Sequence, residues 1–453
     1  MRRYPPLLSV QNTPCVRGRV RRVLDTQQGF AGAAIPDAVG PRKPSGPAEC
    51  DGEADRMTTT HFDYLIVGGG MVADTAARGI REIDRDGSIG ILSDDVDEPY
   101  TRPALSKKLW TDDEFTWDKV PLGTADDTGA DIRLRTRATA IRPDAHEVDA
   151  DGETFAYGKL LVATGGKPVP LPVEDRSNGE RVLSFRTAED YRRLRSLAQD
   201  VDRIAVVGGG YIGSELAAAL VQNGVDTVLI HTGAVLGDAV FPAALAERFE
   251  KLFRDAGVEI VAGSKVEGGE ADAAGVRLSL ENGDEVRADA VVSGLGIDVA
   301  TDLAEGAGLT VDDGVVVDAQ LRSSADDIWA AGDVASYPDR LLGRRRVEHV
   351  DNANAQGTAA GRNLAGAAES YTHTPYYYSA VFGIRYEAVG TLDAELETVE
   401  DWIDTERGVV YYLDDGRVVG VLLWNVEEAR DAARAVLADA DTLTRDDLVG
   451  RIR

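Results

Sequence analysis

Two stretches of this 453-residue sequence have the spacing of phosphate-binding turns. In "YLIVGGGMVADTAARGI" (64–80), Gly68, Gly70 and Ala73 read G-x-G-x-x-A. In "IAVVGGGYIGSELAAAL" (204–220), Gly208, Gly210 and Gly213 read G-x-G-x-x-G. The first glycine makes a tight turn, the second lets backbone approach a pyrophosphate, and the third position must be small so that helix packs on strand. The phosphates then meet a helix N-terminus, where free N–H groups and the dipole favour negative charge. Each match follows a β-branched run and opens an amphipathic one, the context the spacing requires. Asp94 ends the next strand, "IGILSD", where an acid can hold both ribose hydroxyls; it also stands beside Asp95 and Asp97 as a surface acid would. The second turn has no such acid, since its next strand ends in His231 and Thr232. The choice between NAD and NADP is therefore open, with a lean to NAD because no Arg follows to hold a 2′-phosphate.

Composition narrows the class. The formal net charge is −29, from 49 basic and 78 acidic residues, so the surface repels nucleic acid and anionic membrane. Only 8 of the basic residues are Lys and 41 are Arg. An acidic, Lys-poor surface suits a high-salt cytoplasm and predicts a halophilic source; an Arg-rich codon usage gives the same bias. No long uncharged apolar run indicates a membrane span. Both cysteines, Cys15 and Cys50, precede Met57, so the remainder can have no disulfide, thiolate nucleophile or cysteine-ligated metal. The five His residues are too scattered for a metal site.

These turns need elements to hold them. Strands are expected at Asp63–Val67, Ile89–Ser93, Arg203–Val207 and Thr227–His231, and helices at Met71–Arg85, Glu189–Gln199 and Pro242–Ala256. Such alternation implies an α/β fold with parallel sheets. "GVRLSLENGDEVRADAVV" (275–292) reads as a hairpin around Asn-Gly. From about residue 370 the pattern becomes an antiparallel sheet with helical cover, a separate α+β unit. Residues 1–56 carry a basic cluster (Arg17, Arg19, Arg21, Arg22) and no sustained period, and read as a disordered tail or an upstream mis-start. Their nine basic and six acidic residues leave the rest of the chain near −32.

The two turns flank "PYTRPALSKKLW" (99–110) and precede "IWAAGDVA" (328–335). With these motifs the chain, from about 62 to its C-terminus, resembles the FAD-dependent pyridine-nucleotide oxidoreductases of the ferredoxin-reductase branch. "RVEHVDNANAQGTAAGRNL" (346–364), "RYEAVG" (385–390) and "GVVYYLDDGRVVGVLLWN" (408–425) are most similar to apoptosis-inducing factor. The resemblance implies two Rossmann-like domains plus a C-terminal α+β domain. FAD would bind 57–171 and 298–368, NAD(P) would bind 172–297, and 369–453 would form the interface domain. It implies FAD contacts at Gly68, Gly70, Ala73, Asp94, Arg102, Lys107, Ala163, Thr164, Gly165, Arg186, Asp333, His349 and Tyr378. It implies NAD(P) contacts at Gly208, Gly210, Tyr211, Ile212, Gly213, Glu215, His231, Gly296, Glu348, Glu387 and Asn425. Lys107 and Glu215 would form the catalytic pair beside the flavin, supporting charge near N5. One departure stands out: "YYYSA" puts Tyr378 where the branch usually has Trp, and Ala380 where it has Asp.

The function implied is an NAD(P)H-dependent flavoprotein reductase, with hydride passing from the nicotinamide to flavin N5. Without cysteine after Cys50, electrons must leave the flavin directly for a ferredoxin-like protein, a quinone or oxygen. Arg340, Arg344, Arg345 and Arg346 form a candidate docking patch for an acidic carrier, or a solvated basic loop. The competing reading is a redox-sensing interaction protein with slow NADH oxidation. Neither a nucleic-acid partner nor a membrane span is expected, and a cytoplasmic location is.

Overall fold

The computed structural model describes residues 59–439 and 442–453. The expectations for residues 1–56 lie outside them.

The first glycine turn leaves the central strand of a seven-stranded sheet. Strand Thr60–Val67 lies between Ile89–Leu92 and Glu153–Val162, parallel to both. Ile328–Ala330 adds to the end of Glu153–Val162, also in parallel. Leu65, Ile66, Ile91, Leu160 and Leu161 are fully buried, as strands covered on both faces require. Helix Met71–Ile83 packs on Val350–Leu364 through small residues. A Cβ on Gly361 would lie 2.1 Å from the Ala76 carbonyl oxygen, and one on Gly79 would lie 2.4 Å from that of Thr358. This close crossing brings the start of the second helix, with Glu348 and His349, toward the first glycine turn.

The second turn belongs to a separate five-stranded sheet, all parallel, ordered Glu259–Val261, Asp226–Ile230, Arg203–Val207, Ala290–Ser293 and Val182–Ser184. The expected hairpin is Gly275–Leu280 with Glu285–Ala288, but Ala290–Ser293 leaves it. That segment, Ala-Val-Val-Ser, is buried on every residue, as a strand covered on both faces is, and it joins the parallel sheet. The chain enters and leaves this region through one ribbon, in which Gly166–Pro168 pairs antiparallel with Ile297–Val299.

The C-terminal sheet is antiparallel throughout, ordered Tyr376–Val381, Ile384–Gly390, Arg417–Trp424, Gly408–Asp414 and Glu397–Trp402. Its covering helix is shorter than the apolar pattern suggests, Arg430–Leu437. The other expected elements are present within two residues at each end, apart from the earlier start of the first strand, at Thr60.

Candidate functional site

Both glycine turns open toward one cavity of about 1580 Å³, above the roughly 300–1,000 Å³ of small-ligand pockets. Gly68, Gly70, Gly210, Tyr211 and Ile212 line it. Gly68 sits at φ +118°, and a Cβ there would lie 2.2 Å from the Ala163 carbonyl oxygen. A Cβ on Gly213 would lie 1.8 Å from the Gly208 carbonyl oxygen, so Gly213, like the buried Ala73, serves helix–strand packing rather than the cavity wall. The helices that follow, Met71–Ile83 and Tyr211–Gln222, both have a glycine N-cap and no side-chain cap. Helix Ala188–Asp200 has a full capping box from Thr187 and Asp190. The first-turn N–H groups of the two glycine helices are thus left for a ligand's phosphates.

In the wall of the cavity, Lys107 and Glu215 meet at 2.6 Å, their side chains only 14% and 2% exposed. The same carboxylate oxygen, Oε2, accepts from Ser106 Oγ at 2.5 Å, and Oε1 accepts from Ser379 Oγ at 2.7 Å. Tyr378 stands beside the pair, with Lys107 Nζ 5.4 Å from its ring centroid. Arg385 lies at 4.6 Å from the same ring, giving the phenol two cationic neighbours. Burial raises the Tyr378 hydroxyl above its ordinary range.

The flank nearer the first turn is also polar. Asp94 lines the cavity and pairs with Arg137 at 3.4 Å, both exposed. Asp333 is bound by Arg186 at 2.7 Å, and Arg102 donates to the Arg186 carbonyl oxygen at 2.9 Å. Ala163, Thr164, Gly165 and Gly296 line the crossing of the two connecting segments, where Thr164 Oγ1 donates to the Ala300 carbonyl at 2.8 Å. Glu348 lines the wall and pairs with Arg346 at 2.7 Å. His349 stacks obliquely on Tyr377, 4.7 Å between centroids, and desolvation lowers its pKa to about 4. It is therefore neutral near pH 7.

Besides Ala73, Gly208 and Gly213, three more expected nucleotide contacts are not in the cavity lining. Glu387 is buried opposite Tyr378 on the neighbouring strand, bound by Arg430 and Arg385, each approaching to 2.6 Å. Burial pushes its carboxyl up, but the two guanidiniums outweigh burial and hold it below the usual range. Asn425 sits at φ +52°; its Oδ1 accepts from the Arg385 N–H and its amide donates to the Glu406 carbonyl, so it holds a turn. His231 is 5% exposed and lies under Gly209, its Nε2 without a partner. Desolvation lowers its pKa. The basic patch is largely committed as well. Arg344 donates to the Ser336 and Val317 carbonyls, Arg345 to Thr391, and Arg346 to Asp313 and Glu348. Sequence reasoning passed over Ser106, Ser379 and Arg137. The first two had a signal: each is a hydroxyl beside a predicted site residue.

A fold that presents two glycine turns to one cavity, with a buried ion pair between them, defines a two-nucleotide oxidoreductase. The donors fit the groups: uncapped helix starts for pyrophosphates and carboxylates for ribose hydroxyls. Sequence comparison agrees, and the chain belongs to the pyridine nucleotide-disulphide oxidoreductase family, whose model matches residues 62–357. The model for the C-terminal part of mitochondrion-associated apoptosis-inducing factor matches residues 400–439. The chain is 34% identical over 400 residues to the 5,5′-dehydrodivanillate O-demethylase ferredoxin reductase subunit of a Sphingobium species, covering 86% of this chain and 96% of that one. It is 32% identical over 426 residues to apoptosis-inducing factor 1, mitochondrial, of Dictyostelium discoideum, covering 84% and 79%. Among solved structures it is similar to a covalent putidaredoxin reductase–putidaredoxin complex, with TM-score 0.76 and 29% identity over 84% of this chain and 94% of that one. The chain is thus an NAD(P)H-dependent flavoprotein oxidoreductase. No helix among the described residues is long and apolar enough to cross a membrane.

Proposed function

We propose that this flavoprotein oxidises NADH and passes the electrons directly to a ferredoxin-like iron–sulfur protein in the cytoplasm. The observation that carries the reading is the single cavity shared by two uncapped glycine turns, with the Lys107–Glu215 pair between them. Bound at the first turn, FAD would supply the redox chemistry between the nicotinamide and the carrier. The protein's own part is alignment and electrostatics. Gly70 and Gly210 would let backbone approach the two pyrophosphates, and Asp94 would hold the ribose of FAD. Asp333 and Arg186 would hold the ribityl side. Lys107 keeps a positive charge at the reacting centre, fixed there by Glu215. Neutral His349 offers a ring nitrogen without adding charge. Exposed Ile212 and Leu295 give the nicotinamide side an apolar rim.

The donor is NADH because the strand after the second turn ends in His231 and Thr232, with no Arg following to hold a 2′-phosphate. Direct transfer is supported by the absence of cysteine from Met57 onward. The ferredoxin-reductase relative and the putidaredoxin complex support the acceptor. The match to the C-terminal part of apoptosis-inducing factor favours a second reading, a slow NADH oxidase that signals its redox state to a protein partner. Stopped-flow reduction by NADH and NADPH, followed by reoxidation with ferredoxin, quinone or oxygen, separates them. Multiple turnovers with ferredoxin support the reductase. A long-lived reduced state that ferredoxin does not discharge refutes it.

A further inference from the structure

The carboxylate of Glu215 is shared unequally. Ser106 and Lys107 both donate to Oε2 and are neighbours in one loop, so they move together. Ser379 alone, among the hydrogen bonds to this carboxylate, comes from the C-terminal sheet, and it alone takes Oε1. It is also the most firmly placed. It is 1% exposed and pairs across strands with Tyr386, whose ring stacks on Trp424 at 5.7 Å with 6° between planes. Strand alternation turns Ser379 inward while Tyr378 faces the cavity. The terminal torsion of a glutamate is soft, so without a donor on Oε1 the carboxylate can turn and draw the ammonium with it.

We propose that Ser379 is a positioning residue: it anchors one oxygen of Glu215 so that the other holds the Lys107 ammonium at the reacting centre of the cavity. The proposal rests on the flavoprotein reductase reading and deepens it. Ser379 does not line the cavity, and its effect passes through Glu215.

The test uses the full chain loaded with FAD, as wild type, Ser379→Ala and Ser379→Thr. Four quantities are read: the limiting rate of flavin reduction at saturating NADH, the NADH Kd, the flavin midpoint potential and the melting temperature. Loss of one charge-assisted hydrogen bond predicts a limiting rate about tenfold lower in Ser379→Ala, with the NADH Kd within about twofold of wild type. The potential becomes more negative, because the ammonium no longer sits fixed beside the site of added electron charge. Ser379→Thr keeps the hydroxyl and restores both rate and potential. The proposal is overturned if Ser379→Ala keeps the wild-type rate and potential, or if Ser379→Thr is as impaired as Ser379→Ala. Should Ser379→Ala fail to fold, the nearly isosteric weak donor of Ser379→Cys must lower rate and potential in the same direction; wild-type values in that variant overturn the proposal. A wild-type flavin that neither NADH nor NADPH reduces refutes the reductase reading itself, and the proposal with it.

Discussion

Replacing Glu215 by Gln tests whether burial makes the central ion pair strong. The shape is kept and one charge is removed. At the observed 2.6 Å, two unit charges attract by about 6 kcal/mol at an effective dielectric constant near 20. Desolvating both groups offsets part of this, but exposures of 2% and 14% leave little water to screen the pair. Glu215→Gln leaves the Lys107 ammonium buried against an amide, and should cost about 3 kcal/mol of stability. Lys107→Met should cost a similar amount, because Glu215 then keeps only the hydroxyls of Ser106 and Ser379. The double variant contains no unpaired charge, so its loss should fall short of the sum by about 2–3 kcal/mol. Denaturant melts of all four proteins at one fixed FAD concentration measure this coupling. Strict additivity would refute the reasoning, since it would mean that the two charges do not depend on each other.

Gly210 and Gly213 of the second turn should separate binding from folding. Gly210→Ala meets nothing within 4 Å at φ −76°, so the melting temperature should hold while the NADH Kd rises by about tenfold or more; Gly213→Ala, 1.8 Å from a carbonyl oxygen, should fail in the thermal melt itself. His349 predicts a pH dependence of stability. Its folded pKa of about 4 lies below the ordinary 6.5, so the unfolded chain binds the extra proton between those values and stability falls as pH drops through that window. The loss should be on the order of 2 kcal/mol by pH ~4.5 and absent in His349→Gln, compared by melts at pH 7 and pH 4.5. Salt dependence tests the surface. With the residues after 56 near −32 and the 344–346 arginines already paired, reduction of an acidic ferredoxin should speed up as salt is raised from low ionic strength. A rate that falls with salt would point to a basic docking face.

The glycine turns were readable from the sequence because their constraint is local: spacing, strand before and helix after. The Lys107–Glu215 pair was legible only through the resemblance, since 108 positions separate its members and no period links them. The same resemblance implied Glu387 and Asn425, and the strand after the second turn implied His231, but none of the three lines the cavity. For Glu387 the reason is cross-strand geometry: Arg385 and Arg430 converge on one buried carboxylate, and neither charge shows its direction in a linear chain. For His231 the reason is local: one position past the end of the strand Asp226–Ile230, it packs under Gly209 and does not line the cavity. Ser379 was within reach, as the only polar inward position in "YYYSAV", but its partner lies 164 residues away.

The ribbon of Gly166–Pro168 against Ile297–Val299 has a consequence for heredity. Residues 169–296 begin and end at neighbouring backbone positions, with Val169 N–H bonded to the Gly296 carbonyl at 3.1 Å. A gene segment coding for that stretch has only one short splice to close. The host sheet would keep its strand order, because none of its strands comes from the stretch between. Exchange would still have to preserve a shared core, since Tyr100, Leu105 and Trp110 lie in one buried apolar cluster with Leu183, Leu216 and Phe249 of that stretch.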